Sequence, residues 1–231
     1  MLVESAAAPS RHHFDAVLHE RRSVRGFLSR EVPRGQIEEV LRLAQQAPSN
    51  CNVQPWVVHV VSGESGRALR TKLVEAAHFP ERMNPDLPPT DKYRDVYRER
   101  QFDAAHQLYG AMGVARNDRQ ARFDAYLRNF EFFGAPHAAF IFMPKPFGTF
   151  QAMDCGMYAQ SLMLALTSRG IASCAQGALI LYPDIVREHL QVDAEQQLLL
   201  GISFGYEDPH VKANAARVGR AEIDSAVRFH G

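Results

Sequence analysis

The sequence predicts a single domain of mixed helix and strand, of either the α+β or the α/β class. Runs with apolar residues three or four positions apart, typical of amphipathic helices, alternate with short β-branched and aromatic runs, typical of buried strands. The chain has 231 residues and is 46% hydrophobic, so it can build a sizeable core. No internal repeat or low-complexity linker divides it.

In the first part of the chain, residues 1–13 lack periodicity and we expect them to fray. Helices of about 8 and about 14 residues follow, ending near Arg21 and Pro48. A strand is predicted over 56–62 and a helix over 64–78. Four prolines within 80–90 exclude a helix or a central strand, which predicts a mobile excursion or lid.

In the second part, charged helices are predicted over 93–113 and 122–133, and a strand over 138–143. The helix predicted over 150–168 is apolar on more than one face, which indicates burial or a subunit contact. Residues 172–176 predict a short strand or a turn. A proline opens a helix at Pro183–Leu190, and 197–204 predict the last strand.

Composition excludes several classes of protein. The 26 Lys and Arg balance 26 Asp and Glu, so no basic field attracts nucleic acid or anionic lipid. Cys51, Cys155 and Cys174 are odd in number and far apart, which argues against disulfides and a zinc site. No signal-peptide core occurs, and no apolar run reaches the roughly 18 residues of a membrane span. We expect a soluble cytoplasmic protein.

Several common site motifs are absent from the sequence. There is no Gly-x-Gly-x-x-Gly dinucleotide fingerprint, no Gly-Lys-Ser/Thr phosphate loop, no Gly-x-Ser-x-Gly and no His-Glu-x-x-His. The ten histidines are scattered, so we expect them at the surface or at helix ends and expect no metal site. A nicotinamide partner would have to bind without a Rossmann domain.

The first positive signal is the arginine segment, residues 21–25, which reads Arg-Arg-Ser-Val-Arg just beyond a helix. Arginine guanidinium groups grip phosphate oxygens with paired donors, and a serine hydroxyl adds a directional donor. The alternative is a solvated charged helix end.

The second signal is the amide loop, residues 48–54, which lies between a broken helix and the first strand. Its Asn and Gln amides both donate and accept hydrogen bonds, as the pyrimidine edge and ribityl hydroxyls of a flavin require. The alternative is an ordinary turn, because Asn, Pro and Ser favour turns anyway.

Together, Arg-Arg-Ser-x-Arg-x-Phe and, about twenty residues later, Pro-Ser-x-x-Asn-x-Gln-Pro-Trp resemble the nitroreductase family. The resemblance continues through 170–177 and 201–205 and ends in 214–229. Only 79–133 falls outside it. Four separated segments therefore agree in order.

This resemblance implies an α+β fold of three layers, with a central, mostly antiparallel sheet flanked by helices, in an intertwined homodimer. It implies one domain over 1–231, in which 79–133 forms a helical excursion or lid on the substrate side. The implied activity is FMN-dependent oxidation of NADPH or NADH by a ping-pong hydride transfer that reduces nitroaromatics, quinones or similar electron-poor molecules.

The resemblance also implies roles for individual residues, with the chemistry carried by FMN and no catalytic side chain. Phosphate, ribityl chain and pyrimidine edge are assigned to Arg21, Arg22, Ser23 and Arg25, assisted by Arg217 and Arg220, of which Arg220 is the first choice for the phosphate. Contacts to the FMN bound mainly by the partner subunit are assigned to Pro48, Ser49, Asn50 and Asn52, and Gln54 of the same loop is also expected to bind cofactor. The redox-active edge of the flavin is assigned to Ala175, Gln176 and Gly177.

Substrate contacts are expected from the middle of the chain, with core packing of the helical aromatics as the alternative. The candidates are Tyr93, Arg100, Tyr109, Phe123 and Asn129. Two other functions stay open: reductive dehalogenation beneath an ordered lid, and flavin binding without turnover.

Overall fold

A computed structural model of the chain describes residues 11–88 and 92–231, with side chains from residue 14 onward. The N-terminal residues 1–10 lie outside the described residues, and so do Pro89 and Thr90 of the predicted excursion.

One antiparallel sheet forms the centre of the fold. Its strands are β1 (Val57–Ser62), β2 (His137–Pro144), β3 (Ala172–Gln176) and β4 (Gln196–Gly205). They lie in the order β1-β2-β4-β3, and every pairing is antiparallel. Parallel crossovers of the α/β class are therefore absent from the described sheet, and the class is α+β.

The helices occupy both faces and one end of this sheet. They are α1 (Arg11–Glu20), α2 (Arg34–Ala44), α3 (Gly63–Ala77), α4 (Asp95–Met112), α5 (Arg119–Leu127), α6 (Thr149–Thr167) and α7 (Pro183–Leu190). Within residues 11–88 and 92–231, no helix is both long and apolar enough to cross a membrane.

Strand β2 is buried on both faces and separates two hydrophobic cores. Phe140 and Phe142 pack into one core with residues of α3 and α7, whereas Ile141 and Met143 pack into the other with residues of α2 and α6. Because successive side chains of a strand point to opposite faces, one strand serves both cores. The predicted three-layer arrangement is confirmed.

Two helix boundaries differ from the sequence expectation. Helix α2 has 11 residues rather than about 14, and α5 ends at Leu127 instead of running to residue 133. Phe132 and Phe133 adopt left-handed backbone angles, with φ of 56° and 54°, which a helix cannot contain. Both rings are buried in the core beside the sheet, so tertiary packing overrides the helical periodicity.

The described part of the proline-rich segment is anchored to the body of the domain. The Asp86 carboxylate accepts hydrogen bonds from the Arg187 guanidinium at 2.6 Å and from the Leu198 N–H at 2.7 Å. The Asn84 N–H donates to the Leu181 carbonyl at 3.0 Å. Residues 84–86 are thus held against α7 and β4, and the lid function of the excursion stays a prediction.

Candidate functional site

The arginine segment leaves the end of α1 and runs alongside the edge strand β3. The Val24 N–H donates to the Ser173 carbonyl at 3.0 Å, and Ser23 forms a parallel bridge with Ser173. Both contacts extend the sheet edge by a short piece of backbone, which fixes the direction in which the arginines leave it.

Three predicted cofactor residues influence the buried Cys174 thiol. Burial raises the pKa of Cys174. The positive charge of Arg25, a hydrogen bond with Ser23 and the positive charge of Arg21 oppose that shift. The backbone contacts with Ser173 place the segment that carries these three residues beside β3.

Asn214 connects this segment to the C-terminal part of the chain, a role that the sequence did not predict. Its Oδ1 accepts from the Arg25 N–H at 2.7 Å, and its Nδ2 donates to the carbonyls of Gly26 and Asp208, each at 2.9 Å. A Cβ atom on Gly26 would lie 2.4 Å from Val211, so only glycine permits this close approach. The only indication of this role in the sequence was an asparagine among the small residues of 213–216.

The remaining predicted arginines differ in what holds them. Arg22 forms an ion pair with Glu207 and donates to the Asn214 carbonyl at 3.2 Å. Its guanidinium therefore connects the arginine segment to the C-terminal part of the same chain. Arg217 also donates to the Asn214 carbonyl, at 2.7 Å. Arg220 is exposed and bonds only to nearby carbonyls.

By contrast, Arg21 and Arg25 form no ion pair with any carboxylate of the described residues. Among the described residues, the Arg25 guanidinium donates only to the Ser23 carbonyl, at 3.3 Å. A half-buried guanidinium without a carboxylate partner is suited to bind an anion. The predicted cofactor contacts of Arg21, Arg22 and Arg25 stay predictions, and Arg21 and Arg25 are the two whose charge no described carboxylate neutralises.

A first cavity of about 570 Å³ opens beside Arg25, between α4, α5 and residues 211–213. Two predicted substrate residues, Tyr109 and Asn129, line it with Arg25. Its other charged residues are Arg128, Lys212 and Asp124, so positive groups outnumber negative ones. Its size and its mixed apolar and polar walls suit a small organic ligand.

At the end of β3 the main chain is exposed, whereas the side chain of Gln176 is buried. Ala175 and Gly177 are exposed, whereas Gln176 is 3% exposed. The Gln176 amide donates to the Asn129 carbonyl at 2.9 Å and accepts from the Ser203 hydroxyl. Its side chain thus points into the protein, and the predicted cofactor contact of Gln176 is left to its backbone.

Room for a bound group exists beside this turn. A Cβ atom on Gly177 would meet no atom of the chain within 4 Å. The backbone at residues 175–177 is accordingly open on one side while the Gln176 amide fixes it from the other.

The amide loop lies elsewhere on the chain, against α6. Cys51, Asn52 and Gln54 have φ of 49°, 57° and 49°, and the Ser49 hydroxyl accepts from the Gln54 N–H at 2.9 Å. The predicted cofactor side chains of this loop are largely exposed, with Pro48, Asn50, Asn52 and Gln54 open to solvent and Ser49 half-buried. They face outward, away from their own core.

Asp154 holds the amide loop in place and was missed in the sequence. Each of its carboxylate oxygens lies 3.2 Å from the Asn50 N–H, and the residue is only 3% exposed. The sequence did contain an indication of this role, because Asp154 is the single charged residue of α6, a largely apolar helix.

None of the hydrogen bonds among the described residues joins the amide loop to the arginine segment of the same chain. The loop instead adjoins the face of α6 on which Phe150, Met153 and Met157 are exposed, the first by 71%.

Three further substrate candidates lie outside the lining of the first cavity. Tyr93 is 48% exposed, Arg100 lies 3.5 Å from the Ser225 hydroxyl, and Phe123 packs edge-on against His78. The described residues contain no group of three or more His, Cys, Asp or Glu side chains placed to hold a metal ion.

Comparison with known proteins identifies this arrangement. The model of the Nitroreductase family matches residues 18–206. The chain belongs to the nitroreductase family. The resemblance drawn from the two motifs is thereby confirmed, and so is the oxidoreductase class of the enzyme.

Individual members of the family are similar over nearly the whole chain. Nitroreductase NfnB of Mycolicibacterium smegmatis is 42% identical over 219 residues, 93% of this chain and 92% of the relative. The 4-nitrobenzoate reductase of Pseudomonas putida is 34% identical over 218 residues, 94% of this chain and 96% of the relative. The crystal structure of the FMN-dependent nitroreductase NfnB from Mycobacterium smegmatis in complex with NADPH superposes with a TM-score of 0.91 at 41% identity, over 95% of this chain and 99% of that one.

Proposed function

We propose that this nitroreductase binds FMN, oxidises NADPH and reduces nitroaromatic compounds, with nitrobenzoates as the first substrates to test. The M. smegmatis relative is described as FMN-dependent and in complex with NADPH, and the P. putida relative as a 4-nitrobenzoate reductase. The observation that carries the proposal is the position of the arginine segment along β3, where Arg21 and Arg25 have no carboxylate partner among the described residues and the backbone at 175–177 is open.

The residues present fit an FMN phosphate. A phosphate dianion needs several positive donors, and Arg21 and Arg25 belong to one five-residue segment and have no carboxylate partner among the described residues. The Ser173 hydroxyl, in the same stretch of β3, is buried with no hydrogen-bond partner among the described residues. Such an orphan is costly unless a ligand or water satisfies it.

When bound, FMN supplies the redox chemistry, taking a hydride from the donor and passing electrons to the acceptor. The chain's own part is to hold and orient. Arg21, Ser23 and Arg25 would hold the phosphate end, and the open backbone of residues 175–177 would offer its N–H donors to the ring. The positive groups of the first cavity favour negative charge on a reduced ring.

Donor and acceptor use the same side of this site in turn, as the ping-pong scheme requires. Tyr109 and Asn129 line the first cavity next to Arg25, so a flat molecule there lies against both. The sequence has no Rossmann fingerprint, which agrees with a donor that visits the site briefly.

The proposal includes a homodimer of single-domain chains. Exposed large apolar side chains lie on the two neighbouring helices α1 and α6, and others lie on the C-terminal tail, residues 216–231: Phe14, Leu18, Phe150, Met153 and Met157 on the helices, Ile223 and Phe229 on the tail. A patch of this kind marks an interface. Within such a dimer the outward amide loop of one subunit reaches the FMN of the other. The cytoplasm is the proposed location, since all three cysteines are free thiols.

Spectroscopy of the purified protein tests the function. We expect a yellow protein with one FMN per chain, which bleaches with NADPH in the absence of oxygen and recovers its colour on addition of 4-nitrobenzoate. Halogenated phenols serve as the comparison acceptors. A colourless protein that cannot be reconstituted with FMN contradicts the proposal.

A further inference from the structure

A second cavity, of about 1050 Å³, lies between α4, α5 and the turn that joins them. Phe102 and Tyr109 contribute aromatic rings, and Arg116, Arg122 and His106 contribute nitrogen donors. No aspartate or glutamate is among its lining residues. A concave site with several cationic or donor groups and no acid is suited to an anionic ligand.

The two arginines of the second cavity are not neutralised by the protein. Arg116 and Arg122 form no ion pair with any described residue, whereas the partly buried Arg22 and Arg187 are paired with Glu207 and Asp86. The Arg122 guanidinium lies over the Tyr109 ring, 4.5 Å from its centroid, which orients the group without removing its charge. Both guanidinium groups are therefore available to an anion.

The second cavity is adjacent to the first because Tyr109 lines both. A ligand in the first cavity that is long enough can therefore extend past Tyr109 toward Arg122. A nitroaromatic acceptor is too short to occupy both cavities. A dinucleotide is longer, because it has a second half that is aromatic and anionic, and the second cavity can hold that half.

We propose that the second cavity binds the adenosine end of NADPH and that Arg116 and Arg122 recognise its 2′-phosphate. This inference rests on the proposed function, since it names the electron donor of the same site. A phosphate monoester dianion matches the paired donors of guanidinium groups. The rings of Phe102 and Tyr109 offer faces on which a purine stacks. NADH lacks that phosphate, so the site selects NADPH.

Direct binding of adenosine 2′,5′-bisphosphate and of adenosine 5′-monophosphate to the FMN-loaded protein, measured by calorimetry, tests the inference. The bisphosphate is expected to bind more tightly than the monophosphate. Arg122→Gln and Arg116→Gln should each weaken bisphosphate binding about tenfold, as expected for one lost charge-assisted hydrogen bond, and leave monophosphate binding unchanged. Arg119→Gln is the matched control, because Arg119 is an exposed arginine of α5 outside the cavity lining.

Turnover provides the second arm. The KM for NADPH should rise about tenfold in Arg122→Gln while the KM for NADH stays within twofold. Equal binding of the two nucleotides, or bisphosphate binding that survives both substitutions, overturns the inference. So does an increased KM for 4-nitrobenzoate with unchanged bisphosphate binding, which would assign the cavity to the acceptor's carboxylate. If the proposed function is wrong, neither donor reduces FMN. The calorimetric experiment does not depend on that reduction, so it tests this inference separately.

Discussion

At the scale of single residues, Gln176 shows how a side chain can serve a cofactor without touching it. Its amide bonds to the Asn129 carbonyl and the Ser203 hydroxyl, and the backbone of the adjoining turn is open at Gly177. We interpret Gln176 as a positioning residue. It ties β3, β4 and the end of α5 together where the flavin ring is proposed to lie.

Gln176→Met tests this role, because methionine keeps the volume and removes both hydrogen bonds. The free energy of unfolding should fall by about 1 to 3 kcal/mol, the cost of unpaired buried polar groups. The rate of FMN reduction by NADPH in stopped flow should fall about tenfold, since a small displacement of the turn misaligns the ring.

Gln197→Met is the control for that experiment. Gln197 is also buried, and its amide donates to the carbonyls of Pro144 and Phe147 at the far end of β4. A comparable loss of stability with unchanged FMN reduction is expected there. If both variants reduce FMN at the same rate, Gln176 has a structural role alone.

His137 makes stability depend on pH. It is 2% exposed, its Nε2 accepts from the Val32 N–H at 2.9 Å, and its Nδ1 lies 2.6 Å from the Ser62 hydroxyl. Because Nε2 accepts, the proton of the neutral ring is assigned to Nδ1. Burial lowers the pKa of His137 from its ordinary value of 6.5, and the nearby charge of Glu31 opposes that shift only in part.

The sign of the effect follows from this direction. Above pH 6.5 the ring is neutral in the folded and the unfolded chain, so its contribution is constant. Below pH 6.5 the unfolded chain binds a proton that the folded chain refuses, and stability falls by up to about 1.4 kcal/mol per pH unit until the lowered pKa is reached. Urea titrations of wild type and His137→Gln between pH 7.5 and 5 should diverge over that interval; parallel curves would contradict the assignment.

Local and distant contacts explain which site residues could be predicted from the sequence. Arg21, Ser23 and Arg25 share five consecutive positions, so their convergence needed only a short stretch of chain. The partner of Arg22 is 185 positions away, and Ser203 is 27 positions from Gln176. No local pattern reveals such pairs, so the ion pair of Arg22 and the buried hydrogen bonds of the Gln176 amide could not be predicted.

At the scale of elements, strands and helices with strong periodicity were predicted within a few residues. Pro183–Leu190 matches its helix, and 172–176 is a strand rather than a turn. The end of α5 was wrong because buried Phe132 and Phe133 take left-handed angles to pack in the core. The proline-rich segment was expected to be mobile. Its described part is held by the hydrogen bonds that Asp86 accepts from Arg187 and Leu198.

Arg187→Met tests the strength of that anchor. Side chains of Arg187 and Asp86 are 12% and 10% exposed. Burial opposes the charge of Arg187, but the hydrogen bonds that its guanidinium donates to Asp86 and Asp184 raise its pKa overall. Removing one member leaves a nearly buried carboxylate without its counter-charge, which costs about 3 to 5 kcal/mol. Urea denaturation measures this loss.

Arg34→Met is the matched comparison, because it removes the pair between Arg34 and Glu38, whose side chains are 84% and 44% exposed. That variant should lose no more than about 1 kcal/mol. Equal losses in the two proteins would mean that the segment at 84–86 is not held by its ion pair.

At the scale of the whole molecule, neither the strand order nor the assembly could be worked out from residue patterns. The order β1-β2-β4-β3 joins strands far apart in sequence, and the family resemblance implied only a central, mostly antiparallel sheet. The apolar faces of α6 predicted burial or a subunit contact, and the exposure of Phe150 and Met153 agrees with a subunit contact. The dimer itself is part of the proposal.

The central claim is that the arginine segment of one polypeptide and the amide loop of another hold a single FMN. Two defective variants can separate this arrangement from a site built within one chain. In Arg21→Ala the phosphate end is weakened, and in Asn52→Ala the partner-facing amide is removed, so both sites of either homodimer bind FMN poorly.

A mixed dimer of the two variants, isolated with two different affinity tags, decides the matter by FMN titration. If the sites are shared between subunits, one site combines both defects and the other has none, so the account predicts one tightly bound FMN per mixed dimer. If each chain builds its own site, every site in the mixed dimer carries one defect. A mixed dimer with no tight site would therefore contradict the claim.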